Sequence, residues 1–525
     1  MKIWQAVFFV LIFFSAAHFC RAQNLISGSV QDEQGLTLPG VTILIKGTTQ
    51  GTSTDMEGNF ELKVPAATVV LVFSGIGYET KEMEVNAAVA SKKFRITLKD
   101  ALTQLNAVEV VGESKSSQIE KKGFSVAAIE TAEIKTQSVR INAVLNRTAG
   151  VRVRSAGGIG SDFEYTLDGM SGNAIRFFID GIPMDYFGSS YSINNLPVSL
   201  IDRIDVYKGV VPVELGSDAL GGAINLVTDQ NLDNFMEASY SFGSFNTHEV
   251  ALHGQWRAKS GFTTRLSTFY TYSDNNYKVW GEGVFYGEEG TGRAIEFTKD
   301  NPAERFNDDF QTLMGKLDVG FVGKKWADRF FIGLLASDQK KGVQTAQTMA
   351  QVFGEFRNNE EVLMPHLSYT KNDLFAKGLD VNAFAGYSDV TTVVVDTTMN
   401  RYDWRGQIIG TNPGGGENGR NGRSLFTQKD KSVVTRLNTT YKLPLDFKLG
   451  FNYLHSSTRR NGEDPFSPVF RIPFVEPQNI GTHFAGLSLE TVQLENRLNA
   501  NIFVKYYGYN ASINDLIFTT EWEII

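Results

Sequence analysis

From Asn231 onward the sequence is a succession of amphipathic alternations, and no other feature limits the fold as tightly. Met236, Ala238, Tyr240 and Phe242 alternate with Glu237, Ser239 and Ser241, and Val250, Leu252 and Trp256 alternate with Glu249, His253, Gln255 and Arg257. The pattern returns in Leu313, Gly315, Leu317, Val319 and Phe321, in Phe447, Leu449, Phe451 and Tyr453, and in Leu498, Ala500, Ile502, Val504 and Tyr506. A period of two gives each strand one apolar and one aqueous face. A charge on a lipid-facing strand costs roughly 2 to 4 kcal/mol at mid-bilayer, so sorting the charges onto one face is what a membrane barrel demands.

The N-terminus points to export. Lys2 is followed by the apolar run Ala6 to Ala17, too short to span a bilayer, and by Cys20-Arg21-Ala22, a small-x-small cleavage site; residues 1–22 read as a secretory signal. His18 and Phe19 stand where a lipobox needs small residues, so Cys20 reads as part of the removed signal. Cleavage after Ala22 leaves no cysteine, which excludes disulfides, thiolate metal sites and a cysteine nucleophile. No later apolar stretch reaches 18 residues, which excludes helical spans. An exported membrane chain without helical spans must close its strands into a barrel, because lipid cannot satisfy a sheet edge. The net charge of -8, with no long basic run, argues against nucleic acid as a partner.

Ahead of the barrel lie three segments. Residues 24–98 read as a small all-β domain with strands at Ile26–Val30, Val41–Ile45, Phe60–Val64, Val69–Phe73 and Phe94–Leu98 between Gly, Pro, Asp and Thr turns. Asp55, Glu57 and Gly58 there read as hairpin chemistry rather than a calcium loop. Residues 99–123 are a polar connector with one β-prone island, Leu105, Asn106, Ala107, Val108, Glu109, Val110 and Val111. Residues 124–230 form a mixed domain. Thr131 to Asn146 has helical spacing, and FFIDGIP at 177–183 ends in the turn Asp180-Gly181. IDRIDVYKGVVPVELGSDALGGAINLVT at 201–228 reads as a half-buried strand, with Asp202, Arg203, Asp205 and Lys208 along it and turns at Gly209, Gly216, Gly221 and Gly222.

In this order, Arg176 to Thr228 resembles the plug of TonB-dependent outer-membrane receptors, and residues 24–98, with GIGY at 75–78, resemble the carboxypeptidase-regulatory-like sandwich that precedes such plugs in Bacteroidetes-type bacteria. The resemblance implies a mainly β chain: a sandwich, a mixed α/β plug and a transmembrane antiparallel barrel over 231–525, located in the outer membrane with the N-terminal domain periplasmic. It implies that the island at 105–111 is the Ton box, which adds as a strand to the periplasmic TonB protein of the TonB-ExbB-ExbD complex; a last strand of the sandwich is the alternative. It makes Asp202, Arg203 and Asp205 candidates for seating the plug against the barrel, or alternatively a solvated strand face. Family plugs usually carry Arg-Gly after the glycine turn, whereas Asp168-Gly169 stands here, so no role is carried over from that arginine.

The implied activity is import of a scarce ligand without covalent chemistry. The ending KGVVPVELGSDALGGAINLVT is closer to receptors for ferric siderophores, haem or cobalamin than to SusC-like glycan importers, which would add a surface lipoprotein as partner. A surface adhesin or structural barrel would need neither the island nor the plug. An enzyme is not expected: His248, His253, His366, His455 and His483 sit in no catalytic motif, and His248 and His253, an odd number apart, face opposite sides of one strand. No cofactor or metal is expected.

Short links at Ala258–Gly261, Gly323–Asp328 and Pro444–Asp446 alternate with long ones near 274–308, 338–360, 397–430 and 456–482, which makes the long ones extracellular. Residues 411–424 read as a mobile loop, and Trp280, Phe285, Tyr286, Tyr402 and Trp404 as loop aromatics that touch a ligand or anchor the interface. About eleven strands fit into 231–525 against about 22 in a plugged transporter, and the end IFTTEWEII lacks the usual terminal aromatic; a C-terminally incomplete receptor is the expectation.

Overall fold

The computed structural model describes residues 23–65, 68–75, 78–86, 93–99, 114–121, 123–135, 139–216, 219–229, 232–418, 422–493, 498–515 and 520–524. The chain falls into two compact units, Met1–Gly112 and Glu113–Ile525.

The first unit is a sandwich of a three-stranded and a four-stranded sheet. The strand Gln23–Gln31 pairs antiparallel with Asn59–Pro65 and parallel with Phe94–Thr97. Alternate residues point inward, so Ile26, Val30, Ile43, Phe60, Leu71, Phe73 and Ile96 share one core. Asp55 closes its hairpin as the sequence suggests: its Oδ1 accepts the N–H groups of Glu57 (3.1 Å) and Asn59 (2.7 Å). The strand Lys81–Asn86 is a further member of the four-stranded sheet that the sequence pattern did not reveal. The island Leu105 to Val111 lies outside the described residues.

The second unit begins with a short helix, Lys115–Glu120, capped by the Ser114 hydroxyl, inside the stretch expected to be plain connector. A five-stranded mixed sheet and a three-stranded one follow. The strand Ile201–Lys208 is central, between Val126–Glu130 and Gly222–Thr228. It is buried on both faces rather than half-buried, because Ile204 and Val206 pack into one apolar cluster and Tyr207 into another with Val211 and Leu215. Ile201 and Ile204 are three apart and would face opposite ways on a regular strand, yet both are fully buried; a register shift between Ile201 and Arg203 inserts the extra residue that brings them to one side. The helix expected over 131–146 is reduced to Ile141–Leu145. At its head Thr131 instead hydrogen-bonds the Ile201 carbonyl and extends the sheet edge, and Arg140 still has extended dihedrals.

The wall is a twelve-stranded antiparallel sheet in strict sequence order of its members, from Phe235–Gly243 to Thr520–Ile524. Met236, Tyr240, Phe242, Leu313, Leu317, Ile502, Val504 and Tyr506 are exposed on its outer face, while Lys316, Asp318, Arg436 and Asn452 face the plug. Several strands outrun the apolar band: Leu379–Asp396 has 18 residues and Ser424–Lys442 has 19. The outer links are therefore shorter than the loss of alternation suggests, spanning 343–356, 397–423 and 464–477. Backbone pairing continues where lipid no longer demands an apolar face.

Candidate functional site

The DG turn after the FFI strand meets the barrel. Asp180 has a left-handed φ of 50°, and its carboxylate accepts the Thr228 N–H (2.9 Å) and hydroxyl (2.7 Å). Gly181 follows with φ 75°, and its N–H donates to Asn225 Oδ1 at 2.9 Å. A Cβ on Gly181 would lie 2.9 Å from the Arg436 guanidinium, so glycine is what allows this barrel arginine to reach the turn. The other motif glycines serve the plug itself: Gly209 bonds to the Gly221 carbonyl, Gly221 to that of Ala174, and Gly216 ends a 3₁₀ turn with φ 57°. At Gly222 the backbone runs so close to the Tyr207 carbonyl oxygen that no side chain fits. Lys208 bonds through its backbone N–H to Ser125.

The charged residues expected to seat the plug do something else. Arg203 and Asp205 pair with each other, Nε to Oδ1 at 2.6 Å and Nη2 to Oδ2 at 3.2 Å, with both side chains largely buried. Burial works against the Arg203 charge, but the bond to Asp205 and its negative charge outweigh this and raise the arginine pKa. Asp202 contributes its backbone carbonyl to Thr131. Asp168-Gly169, with φ values of 45° and 85°, forms the tight turn between Phe163–Leu167 and Met170–Ser171.

Seating falls to residues that motif reading passed over. Arg436, 7 % exposed, donates from Nη1 to the Asp180 carbonyl (3.3 Å) and from Nη2 to the Glu214 carbonyl (2.8 Å). Asn452 donates to the same Glu214 carbonyl at 3.1 Å, Lys448 lies 3.7 Å from the Glu214 carboxylate, and Lys505 reaches the Val211 carbonyl at 2.6 Å. Nearer the long loops, Arg140 pairs with Glu249, Asn275 brackets the Ile159 backbone, and Glu360 accepts the Ser189 N–H and hydroxyl. The available signal was strand parity: Arg436 and Asn452 are polar residues at lumen-facing positions of otherwise apolar-alternating strands.

Above this seat a cavity of about 730 Å³ opens between plug and wall on the long-loop side. One side is aromatic, with Tyr165 and Phe177 ring centroids 4.8 Å apart and Phe163 beside them. Tyr165 donates to Asn142 Oδ1 at 2.7 Å, and burial raises its phenol pKa, so it stays neutral. The opposite side carries hydroxyls and carboxylates: Ser388, Thr392, Thr458, Glu360 and Asp430, the last held bidentately by Arg460 at 2.8 and 2.7 Å.

The loop aromatics divide. Trp280 and Phe285 are exposed, but Trp404 is 2 % exposed and is the centre of a small core with Val284, Phe297 and Ala303. Its indole N–H donates to Met349 O at 2.9 Å, and Arg405 stacks on Tyr286. Trp404 thus ties three loops together and does not face a ligand. The described part of the 411–424 loop is likewise held, since the Glu417 carboxylate takes the N–H groups of Gly354 and Glu355 and Asp396 takes those of Glu417 and Asn418. His248 and His253 lie on opposite faces of their strand, against Tyr240 and Ser267 respectively.

A mixed domain seated by polar and apolar contacts against a lipid-facing wall of antiparallel strands is the arrangement of a plugged outer-membrane barrel. Comparison with known proteins names the class further: residues 26–110 match the CarboxypepD_reg-like domain and residues 118–223 the TonB-dependent Receptor Plug Domain. Both are domains found in TonB-dependent receptors, and the lipid-facing antiparallel wall agrees with an outer-membrane β-barrel. TonB-dependent receptor P39 of Formosa agariphila is 28% identical over 244 residues, 45% of this chain and 22% of the relative. TonB-dependent receptor SusC of Bacteroides thetaiotaomicron is 24% identical over 539 residues, 94% of this chain and 49% of the relative. The chain thus spans about half the length of this relative and less of the first. Among solved structures, the ferric citrate transporter FecA overlays with a TM-score of 0.54 at 16% identity, covering 79% of this chain and 60% of that one. The copper transporter OprC gives 0.52 at 14%, covering 76% and 56%. At such identities the overlays establish the fold alone.

Proposed function

We propose that the chain imports a scarce ligand actively, through capture of Leu105 to Val111 by TonB and displacement of the plug. The observation that carries this is the seat itself. Plug and wall meet through side-chain hydrogen bonds, ion pairs and apolar contacts from Phe269, Met314, Leu335, Val362 and Val434, and among the described residues no plug strand pairs with the wall sheet, so the two can part without unzipping a ladder. A ligand would enter the outer cavity, and the plug would move from below it.

For the ligand, a ferric siderophore, haem or another cofactor ranks first, on the KGVVPVELGSDALGGAINLVT ending; a similar chain, the Vitamin B12 transporter BtuB of Vibrio vulnificus, is 34% identical over 105 residues. An oligosaccharide is the second reading, favoured by the aromatic and hydroxyl-bearing sides of the cavity. The test is uptake of radiolabelled ferric siderophores in cells carrying the complete locus product, parent against Val110→Pro, which removes a backbone donor needed for strand addition. Uptake present in the parent and lost in the variant, with surface binding retained, supports TonB-driven iron import. No uptake across siderophores and haem by a properly inserted parent would move oligosaccharides or cobalamin to the front.

A further inference from the structure

Below the outer cavity, a second cavity of about 130 Å³ lies between Asp180 and the wall, beside the Arg436 contact. Arg265, Lys316, Arg329 and Arg436 line it, from four strands of one continuous sheet. Asp318 is committed locally, to Lys316 at 3.3 Å and His366 at 2.7 Å. Asp180 of the plug is the carboxylate whose field reaches all four cations. Among the described residues Arg436 has no carboxylate bonded to it, Glu214 and Asp180 acting on it only through space: its hydrogen bonds run to backbone carbonyls and to the Asn382 side-chain oxygen, and its buried Nε has no hydrogen-bond partner. A guanidinium held away from water without a carboxylate bonded to it is costly, and an anion with oxygen acceptors is what its planar fork fits.

We propose that this cation belt is an anion-binding station of the barrel wall, covered by Asp180 in the seated plug and open to a carboxylate or phosphate-like group when the Asp180-Gly181 turn withdraws. That the turn withdraws rests on the import reading above; the affinity of the uncovered belt for an anion does not. The Asp180 carboxylate stands in for the anion, as a side chain tethered to the moving part. An anionic ligand leaving the outer cavity would then find a row of cations where the plug had been, and the returning Asp180 would displace it.

The experiment is thermal unfolding of the full chain in detergent, with potassium phosphate titrated against potassium chloride at matched ionic strength. Asp180→Asn keeps the turn's shape but uncovers the charge. In this variant phosphate should raise Tm saturably, by several degrees beyond its general effect on the parent. Adding Arg436→Met should abolish that excess. Should Asp180→Asn fail to insert, Gly181→Ala pushes the turn off the guanidinium without altering charge, and the same excess over the parent is expected. Equal phosphate responses in parent and variant, or an excess that survives Arg436→Met, would overturn the assignment. Neither readout involves uptake, so failure here is distinguishable from failure of the import reading.

Discussion

The two ends of the space between plug and wall are built oppositely. The outer cavity is lined by four carboxylates, Glu164, Asp185, Glu360 and Asp430, against one guanidinium, and the inner one by four cations against Asp180 and Asp318. The outer end is roofed by loops that hold one another through a small apolar core, whereas the inner end is held by hydrogen bonds from wall to plug. Stability of the roof and release of the plug can therefore vary independently. The outer charge disfavours anions and the inner charge attracts them, which makes entry and transit separate selection steps.

Trp404→Ala should separate the ends most clearly. Loss of a buried tryptophan costs about 3 to 5 kcal/mol, and here the loss should fall on the loops at 274–309, 343–356 and 397–423. Limited proteolysis should cut them much faster while hydrogen exchange in Ile201–Lys208 is unchanged; parallel loosening of the plug would mean that the ends are coupled. Arg436→Met should do the converse, at about 2 to 3 kcal/mol, by leaving the Asp180 carbonyl without its donor. Faster exchange across the plug with intact loops is the expected outcome. Glu360→Gln should cost about 1 kcal/mol at the Ser189 contact and bind an anionic ligand at the cell surface several-fold tighter. An unchanged binding constant would show that the outer charge does not select.

The smallest effect is a difference between two loops in acid. Burial pushes the Glu417 carboxyl above its usual range, against the N–H bonds it accepts, so its folded form holds a proton more tightly than the unfolded one. Its contribution to loop stability grows as pH falls through that raised value. Asp464 is the reverse. Burial opposes its charge, but bonds from Phe466, Ser424, Leu425 and Ser467 hold its pKa below the usual range; its contribution is full above that range and is lost as pH falls through the lowered value. Proteolysis between pH 7 and pH 4 should therefore show 411–418 becoming more protected while 464–477 is unchanged, its protection falling only below pH 4. Identical profiles for the two loops would remove both assignments.

Much of the fold was legible because lipid and core impose strict periods. Leu313 to Phe321 and Phe447 to Tyr453 could be assigned to the outer face from alternation alone. The strand limits were not, since pairing continues past the membrane at Leu379–Asp396 and Ser424–Lys442 without any apolar requirement. The plug motif located the Asp180-Gly181 turn but misassigned Arg203 and Asp205, because sequence shows that charges exist and not which neighbour neutralises them. A salt bridge between residues two apart on one strand face looks identical, in sequence, to two charges awaiting a distant partner. Parity marked Arg436 and Asn452 as lumen-facing but not what they do, because their roles come from backbone carbonyls more than 200 residues away. Trp404 was misread because an aromatic in a long loop is judged by its surroundings, and those are two other loops, 274–309 and 343–356.

The position of Val126–Glu130 has a mechanical consequence. It is the edge strand of the plug sheet and, among the described residues, the first strand of the second unit. Its ladder runs to Ile201–Lys208, and its outer edge is held by the preceding helix, where the Ala128 N–H donates to Glu120 at 3.0 Å and the Ser116 hydroxyl to Glu130 at 2.7 Å. A pull along the chain from the N-terminal side must first part these helix contacts, then reaches the ladder at Val126, opposite Tyr207, and, directed away from the sheet edge, opens the pairs toward Glu130 in turn. The load then rests on one or two hydrogen bonds at a time. Yielding in this way needs far less peak force than shearing the ladder at once, and it leaves the Arg203–Asp205 pair and the core behind it as an intact anchor from which the strand can zip back.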